Sequence, residues 1–157
     1  MKKYGDWTKA GIVLNSITKN LYPMFQAVID ESGNIALKRM KEHIERQDLN
    51  WKPLSEYTIK RKGNDTIYVE TGFLKDNLAV RKIKSKKDEY NIFIGASAWK
   101  RNKEGIKLSD LMIWLEYGTN KIPPRPLIRP TWIEIEPIIK ELFEKELKQY
   151  ISRGGKF

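Results

Sequence analysis

Apolar positions change their period twice along this chain. From about Tyr22 to Arg46, the residues Phe25, Ile29, Ile35, Ala36, Met40 and Ile44 trace roughly one face at helical spacing, while Lys38, Lys41, Glu42 and Glu45 lie mostly elsewhere. The pattern predicts one long core helix, which Gly33 weakens locally without forbidding. Ahead of it, Ile12, Val13, Leu14, Ile17 and Leu21 fit a short helix or a strand equally. Between 77 and 97 the period drops to two. Leu78, Val80, Lys82 and Lys84 alternate with Ala79, Arg81 and Ile83, and a polar stretch at 86–89 is followed by Tyr90, Ile92, Ile94 and Gly95. This predicts an antiparallel hairpin of residues 77–86 and 90–97. Helical spacing then returns in Leu111, Met112, Trp114 and Leu115, and again from Ile135 through Ile138, Ile139, Leu142, Phe143, Leu147, Tyr150 and Ile151.

Punctuation residues divide these elements. Ser55 can cap a short helix through Arg61 that Gly63 ends, and Thr71 can cap another short turn. Ser109 can cap a helix Asp110–Tyr117, with Gly118 where that helix wants a left-handed stop. Pro123, Pro124, Pro126 and Pro130 then hold the backbone extended and remove hydrogen-bond donors, with Arg125 and Arg129 between them. Pro137 either kinks the C-terminal helix or marks its first turn. Residues 98–108 read as a basic, mobile loop and 152–157 as a flexible tail. The predicted architecture is α+β: an antiparallel sheet with a long hairpin, packed against a long N-terminal helix and a C-terminal amphipathic helix.

The length of 157 residues predicts one domain, 1–157, able to bury a core. No run of eighteen apolar residues exists, so the sequence predicts no membrane span, and its first residues do not read as a secretory signal. The absence of cysteine removes disulfides, thiolate metal sites and cysteine nucleophiles. The net charge of +10 is unevenly spread. Residues 60–103 hold twelve basic and five acidic side chains, whereas 131–151 hold three basic and five acidic. Such asymmetry suits an acidic partner or head-to-tail contact between copies.

Catalytic chemistry finds little support. His43 is the one histidine, and neither a second histidine nor a cysteine joins it, so a structural or surface role is expected. Glu70, Asp76, Asp88 and Glu89 lack the paired spacing of a nuclease core. Serines lack nucleophile-elbow flanks, and the glycines are isolated. No enzymatic activity, cofactor or metal is expected. A basic patch of Arg81, Lys82, Lys84, Lys86, Lys87, Lys100, Arg101 and Lys103, with Tyr90, Phe93 and Trp99 interleaved, could neutralise phosphates and stack bases. The alternative function is therefore a small basic nucleic-acid-binding protein. Trp51, Trp114 and Trp132 read as core or interface anchors.

An ordered set of short motifs completes the reading. Trp51-Lys52-Pro53-Leu54 is followed by Thr58 and Lys62, then by Thr71-Gly72-Phe73-Leu74 leading into Asn77-Leu78. Ile94-Gly95 ends a strand, and Tyr117-Gly118-Thr119 leads to Pro124-Arg125-Pro126-Leu127. Over about residues 48–132 this set resembles the virion-morphogenesis (tail completion) proteins of Mu-like tailed phages. It also resembles the related minor tail-component (head-tail joining, neck) proteins of lambdoid siphophages. Leu127 stands where that family often has Phe, and Asn77 where it often has Ser. The resemblance implies a structural protein of the virion, at the tail end or head-tail junction, present in the host cytoplasm during assembly. It implies a ring of identical subunits, such as a hexamer, touching neck, connector or tail-tube proteins, with weak non-specific DNA contact open to it. On that view Tyr117, Gly118, Ile122, Arg125, Leu127 and Arg129 lie at or beside a subunit contact. The equal alternative is that Gly118 and the prolines simply route the chain between two helices.

Overall fold

In the computed structural model, which describes residues 7–83 and 89–154, a single helix α1 (Trp7–Arg46) forms the spine. It passes through Pro23 without a break, so the apolar positions at 12–21 extend the predicted helix instead of forming a separate element. A proline ring removes one helical hydrogen bond and crowds the preceding turn. Packing on both sides offsets this. Ile17 and Leu21 before Pro23, and Met24 and Val28 after it, pack with Leu142, Phe143, Leu147 and Tyr150 of α5 (Ile128–Ser152). The Phe25 and Phe143 rings stack at 5.2 Å, and the Tyr150 hydroxyl donates to the Ile17 carbonyl.

Strands β1 (Leu78–Ile83) and β2 (Asn91–Ala96) pair antiparallel, with Leu78 opposite Ala96 and Ile83 opposite Asn91. Of the predicted strands, residues 77, 90 and 97 fall outside this ladder, and residues 84–88, including Lys84, Lys86 and Lys87, lie outside the described residues. Gly33 explains how the hairpin reaches the helix. A Cβ there would stand 2.6 Å from Ile92 Cδ1 and 2.9 Å from Val80 Cγ1, closer than real contacts allow. The residue that weakens the helix by propensity is thus what lets sheet and helix touch. Polar contacts pin the hairpin to the same helix: Tyr90 Oη donates to Asp30 Oδ1 at 2.7 Å, Lys82 Nζ lies 3.1 Å from Asp30 Oδ2, and Tyr22 Oη donates to the Glu89 carbonyl. The Tyr90 hydrogen bond holds the Asp30 carboxyl below its ordinary value, with Lys82 adding to the effect.

A second apolar cluster joins Met40 and Ile44 of α1 to Trp51, Ile67, Tyr68, Leu74, Leu78, Ala96, Leu108, Met112 and Leu127. Around it lie three short helices, α2 (Glu56–Lys62), α3 (Phe73–Asp76) and α4 (Leu108–Tyr117). The α2 boundaries follow the sequence expectation: Ser55 Oγ accepts from the Thr58 amide, and Gly63 ends the helix. Two caps fall differently. Gly72, not Thr71, precedes α3, with no side-chain cap. Ser109 lies inside α4, whose cap position belongs to Lys107, because the Arg101–Lys107 bridge sets the chain's entry and starts the helix two residues early. The loop expected to be mobile is organised around Asn102, whose Oδ1 accepts from the Glu104 and Ile106 amides. Helix α5 starts at Ile128, which puts Pro130 in its first turn and Pro137 well inside. It also absorbs Ser152 from the expected tail, and residues 155–157 lie outside the described residues. The architecture is α+β, with long helices α1 and α5 packed together and with the hairpin against α1. Among the described residues no helix is long and apolar enough to cross a membrane.

Candidate functional site

Two stretches far apart in sequence, 51–54 and 115–129, close on each other as a clamp centred on Arg125. Its guanidinium donates to the Lys52 carbonyl from Nε (2.8 Å) and to the Pro53 carbonyl from Nη2 (3.0 Å). Its own amide donates to the Leu115 carbonyl at 2.6 Å, and its carbonyl accepts from Tyr68 Oη at 2.7 Å. Trp51 Nε1 donates to the next carbonyl, Pro126, at 2.7 Å, and the Trp51 ring sits 5.0 Å from that of Tyr68. Two consecutive carbonyls of the proline run, those of Arg125 and Pro126, are thus satisfied although the run's donors are few. Burial raises the pKa of the Tyr68 hydroxyl and the Glu116 charge adds to this, so the phenol remains a donor. Burial lowers the Arg125 guanidinium from the ordinary arginine value, with Tyr68 acting in the opposite direction.

Glu116 closes the other side of the clamp. It is buried on the same face of α4 as Leu108 and Met112, and its carboxylate accepts from three amides at the start of α5. Oε2 takes those of Leu127 (2.7 Å) and Ile128 (2.9 Å), and Oε1 takes that of Arg129 (3.0 Å). A carboxylate here satisfies amides that have no helical partner and faces the positive end of the helix dipole. Gly118 makes the corner between the two helices. Its φ of 77° and ψ of 177° favour glycine, and a Cβ would stand 2.9 Å from both the Ile122 carbonyl oxygen and the Pro124 nitrogen.

The residues of the expected contact set lie at different depths. Arg125, only 5% exposed, and Leu127, fully enclosed, are internal supports, not surface groups. Tyr117 (78% exposed) and Arg129 do face outward, while Ile122 and Gly118 are partly buried. Further exposed apolar side chains lie on either side of the Gly118 corner, Trp114 and Trp132 among them. Ile113 and Trp114 on α4, with Ile128, Trp132 and Ile133 on α5, are all exposed apolar side chains. They lie within about one helical turn of the Glu116 joint. Trp51 is a core anchor, whereas Trp132 is half exposed.

The basic patch is dispersed among local partners. Lys82 is paired with Asp30, Lys100 Nζ donates to Asn77 Oδ1, and Arg101 donates to the Gly105 carbonyl. Arg81 and Lys103 are exposed, and Lys84, Lys86 and Lys87 fall outside the described residues. Tyr90 turns toward Asp30 on α1, while Phe93 and Trp99 stay exposed.

His43 is buried in an ion network that ties α1 to α5. Its Nδ1 pairs with Asp48 Oδ1 at 2.5 Å, and its Nε2 lies 3.1 Å from Glu134 Oε2 without hydrogen-bond alignment. Arg39 reaches Glu134 at 2.5 Å and Glu42 at 2.9 Å. The His43 hydrogen bond holds the Asp48 carboxyl below its ordinary value. Among the described residues no group of three or more acidic or histidine side chains is placed to hold a metal ion.

Beside the clamp, a groove of about 780 Å³ opens between α2, the 67–73 stretch and α4. Its size is that of a ligand or peptide pocket. No family model, curated protein or solved structure matches this chain.

Proposed function

We propose that this chain is a structural component of a tailed-phage virion, acting at the tail end or head-tail junction as one subunit of an oligomeric ring. The observation that supports it is the exposure of large apolar side chains on both sides of the Gly118 corner: Ile113, Trp114 and Tyr117 on α4, and Ile128, Trp132 and Ile133 on α5. Clustered apolar surface marks protein contacts, and aromatic side chains are enriched there. The joint beneath it is stiffened by Gly118, the prolines, Glu116 and Arg125, so docking would cost little conformational entropy. Arg125 and Leu127 hold the corner from within, and Tyr117, Trp132 and their neighbours form the contact with Arg129 at its rim. Each subunit of a ring presents two different surfaces, and the positive middle and mildly acidic C-terminal helix suit such a pairing.

Deleting the gene from its native phage or prophage and imaging the particles tests the reading. Full heads with separate tails, or tails of abnormal length, are expected. The wild-type gene should restore particles, while the Tyr117→Asp/Trp132→Asp variant, folded by circular dichroism, should not. Normal infectious particles from the deletion would remove the assembly role. They would favour the nucleic-acid alternative, whose signature is binding that weakens steeply with salt.

A further inference from the structure

We infer that the groove between α2 and α4 is a docking site for an acidic, apolar peptide segment of another protein. The floor is hydrocarbon, supplied by Leu54, Val69, Leu111, Leu115, Ile122 and Pro123. The rim is cationic, with Lys52, Arg61, Lys62 and Lys121 against one carboxylate, Glu70. These cations are weakly committed within the chain. Arg61 stands 3.7 Å from Glu104 in a pair that is half exposed on both sides, and Lys62 spends one donor on the Thr66 carbonyl. Lys52 and Lys121 extend from exposed positions with no ion pair among the described residues. Burial also lowers the Lys62 ammonium from its ordinary value, a penalty that an arriving carboxylate would offset. An apolar floor inside a cationic rim selects hydrophobic side chains interleaved with carboxylates.

The chain's own acidic helix fits this groove poorly. The apolar face of the acidic helix α5, with Leu142, Phe143 and Leu147, is already packed against α1. The occupant that this lining selects is an acidic, apolar segment of a partner protein. The site is separate from the α4–α5 contact surface and does not depend on the virion role.

Selection of a random peptide library of about twelve residues per member against the whole chain tests the proposal. Peptides that combine Leu or Phe with Asp or Glu should be enriched. A labelled copy of the best one should lose about tenfold or more in affinity for the Lys52→Glu/Lys121→Glu variant. The milder Lys52→Gln/Lys121→Gln variant should fall between. The Trp132→Asp variant should bind as the wild type does. No enrichment, enrichment of basic or uncharged sequences, or equal affinity for the charge-reversed chain would overturn the proposal. So would loss of binding in Trp132→Asp, because the peptide would then sit on the other surface.

Discussion

The two apolar clusters along α1 lie roughly 24 Å apart, taking Met24 and Met40 as their centres at 1.5 Å per residue, and they are held by different means. The cluster around Met24, Val28 and Tyr150 is an α1–α5 seam of packed apolar side chains with a single described polar tie, from Tyr150 to the Ile17 carbonyl. The cluster around Trp51 and Leu127 encloses the Arg125 clamp, where buried polar groups are matched to named backbone partners. Volume governs the first and hydrogen-bond geometry the second. An apolar swap of similar size should therefore be mild at one and severe at the other.

The largest effect is expected at the clamp. Arg125→Met keeps much of the side-chain volume but strands the Lys52 and Pro53 carbonyls, and should cost about 3 kcal/mol in urea unfolding. A loss below about 1 kcal/mol would mean that water replaces the guanidinium without penalty. Gly118→Ala comes next, at about 2 kcal/mol, because the corner needs a glycine conformation and leaves no room for a Cβ. Met24→Leu, in the hydrocarbon seam, should cost under about 1.5 kcal/mol. If it equals Arg125→Met, the contrast between the clusters fails.

The smallest effect concerns acid. Asp48 has a folded-state pKa below its ordinary value through His43, so its contribution is present above about pH 4 and is lost as pH falls through the lower folded value. The stability difference between the wild type and Asp48→Asn should shrink as pH drops below about 4. A difference that grows on acidification would contradict the assigned pair.

The long elements were legible because periodicity reports burial directly. Met40 and Ile44 lie on the predicted apolar face and are core residues. Ser55 and Gly63 bounded α2 through local chemistry alone. The start of α1 was not legible, since Pro23 obscures a helix whose continuity depends on packing against α5 some 120 residues away. The clamp was half legible. Its motifs stood out, but Arg125 looked like a surface charge because nothing local says that the Lys52 and Pro53 carbonyls will meet it. Glu116 did leave a signal: it falls four and eight residues after Met112 and Leu108, on an apolar helical face where a carboxylate needs a buried partner. Tyr68 left none, because its role depends on a carbonyl 57 residues away.

The bond between Tyr150 and Ile17 has a practical consequence for handling the protein. It brings the incoming and outgoing chain to one pole, where α1 precedes and α5 leaves the Met24 seam. Anything fused ahead of α1 or after α5, such as a purification tag, a dye or a tether, departs from that pole. The groove beside the Arg125 clamp belongs to the other cluster, so a chain immobilised by either end would keep that groove open to solution.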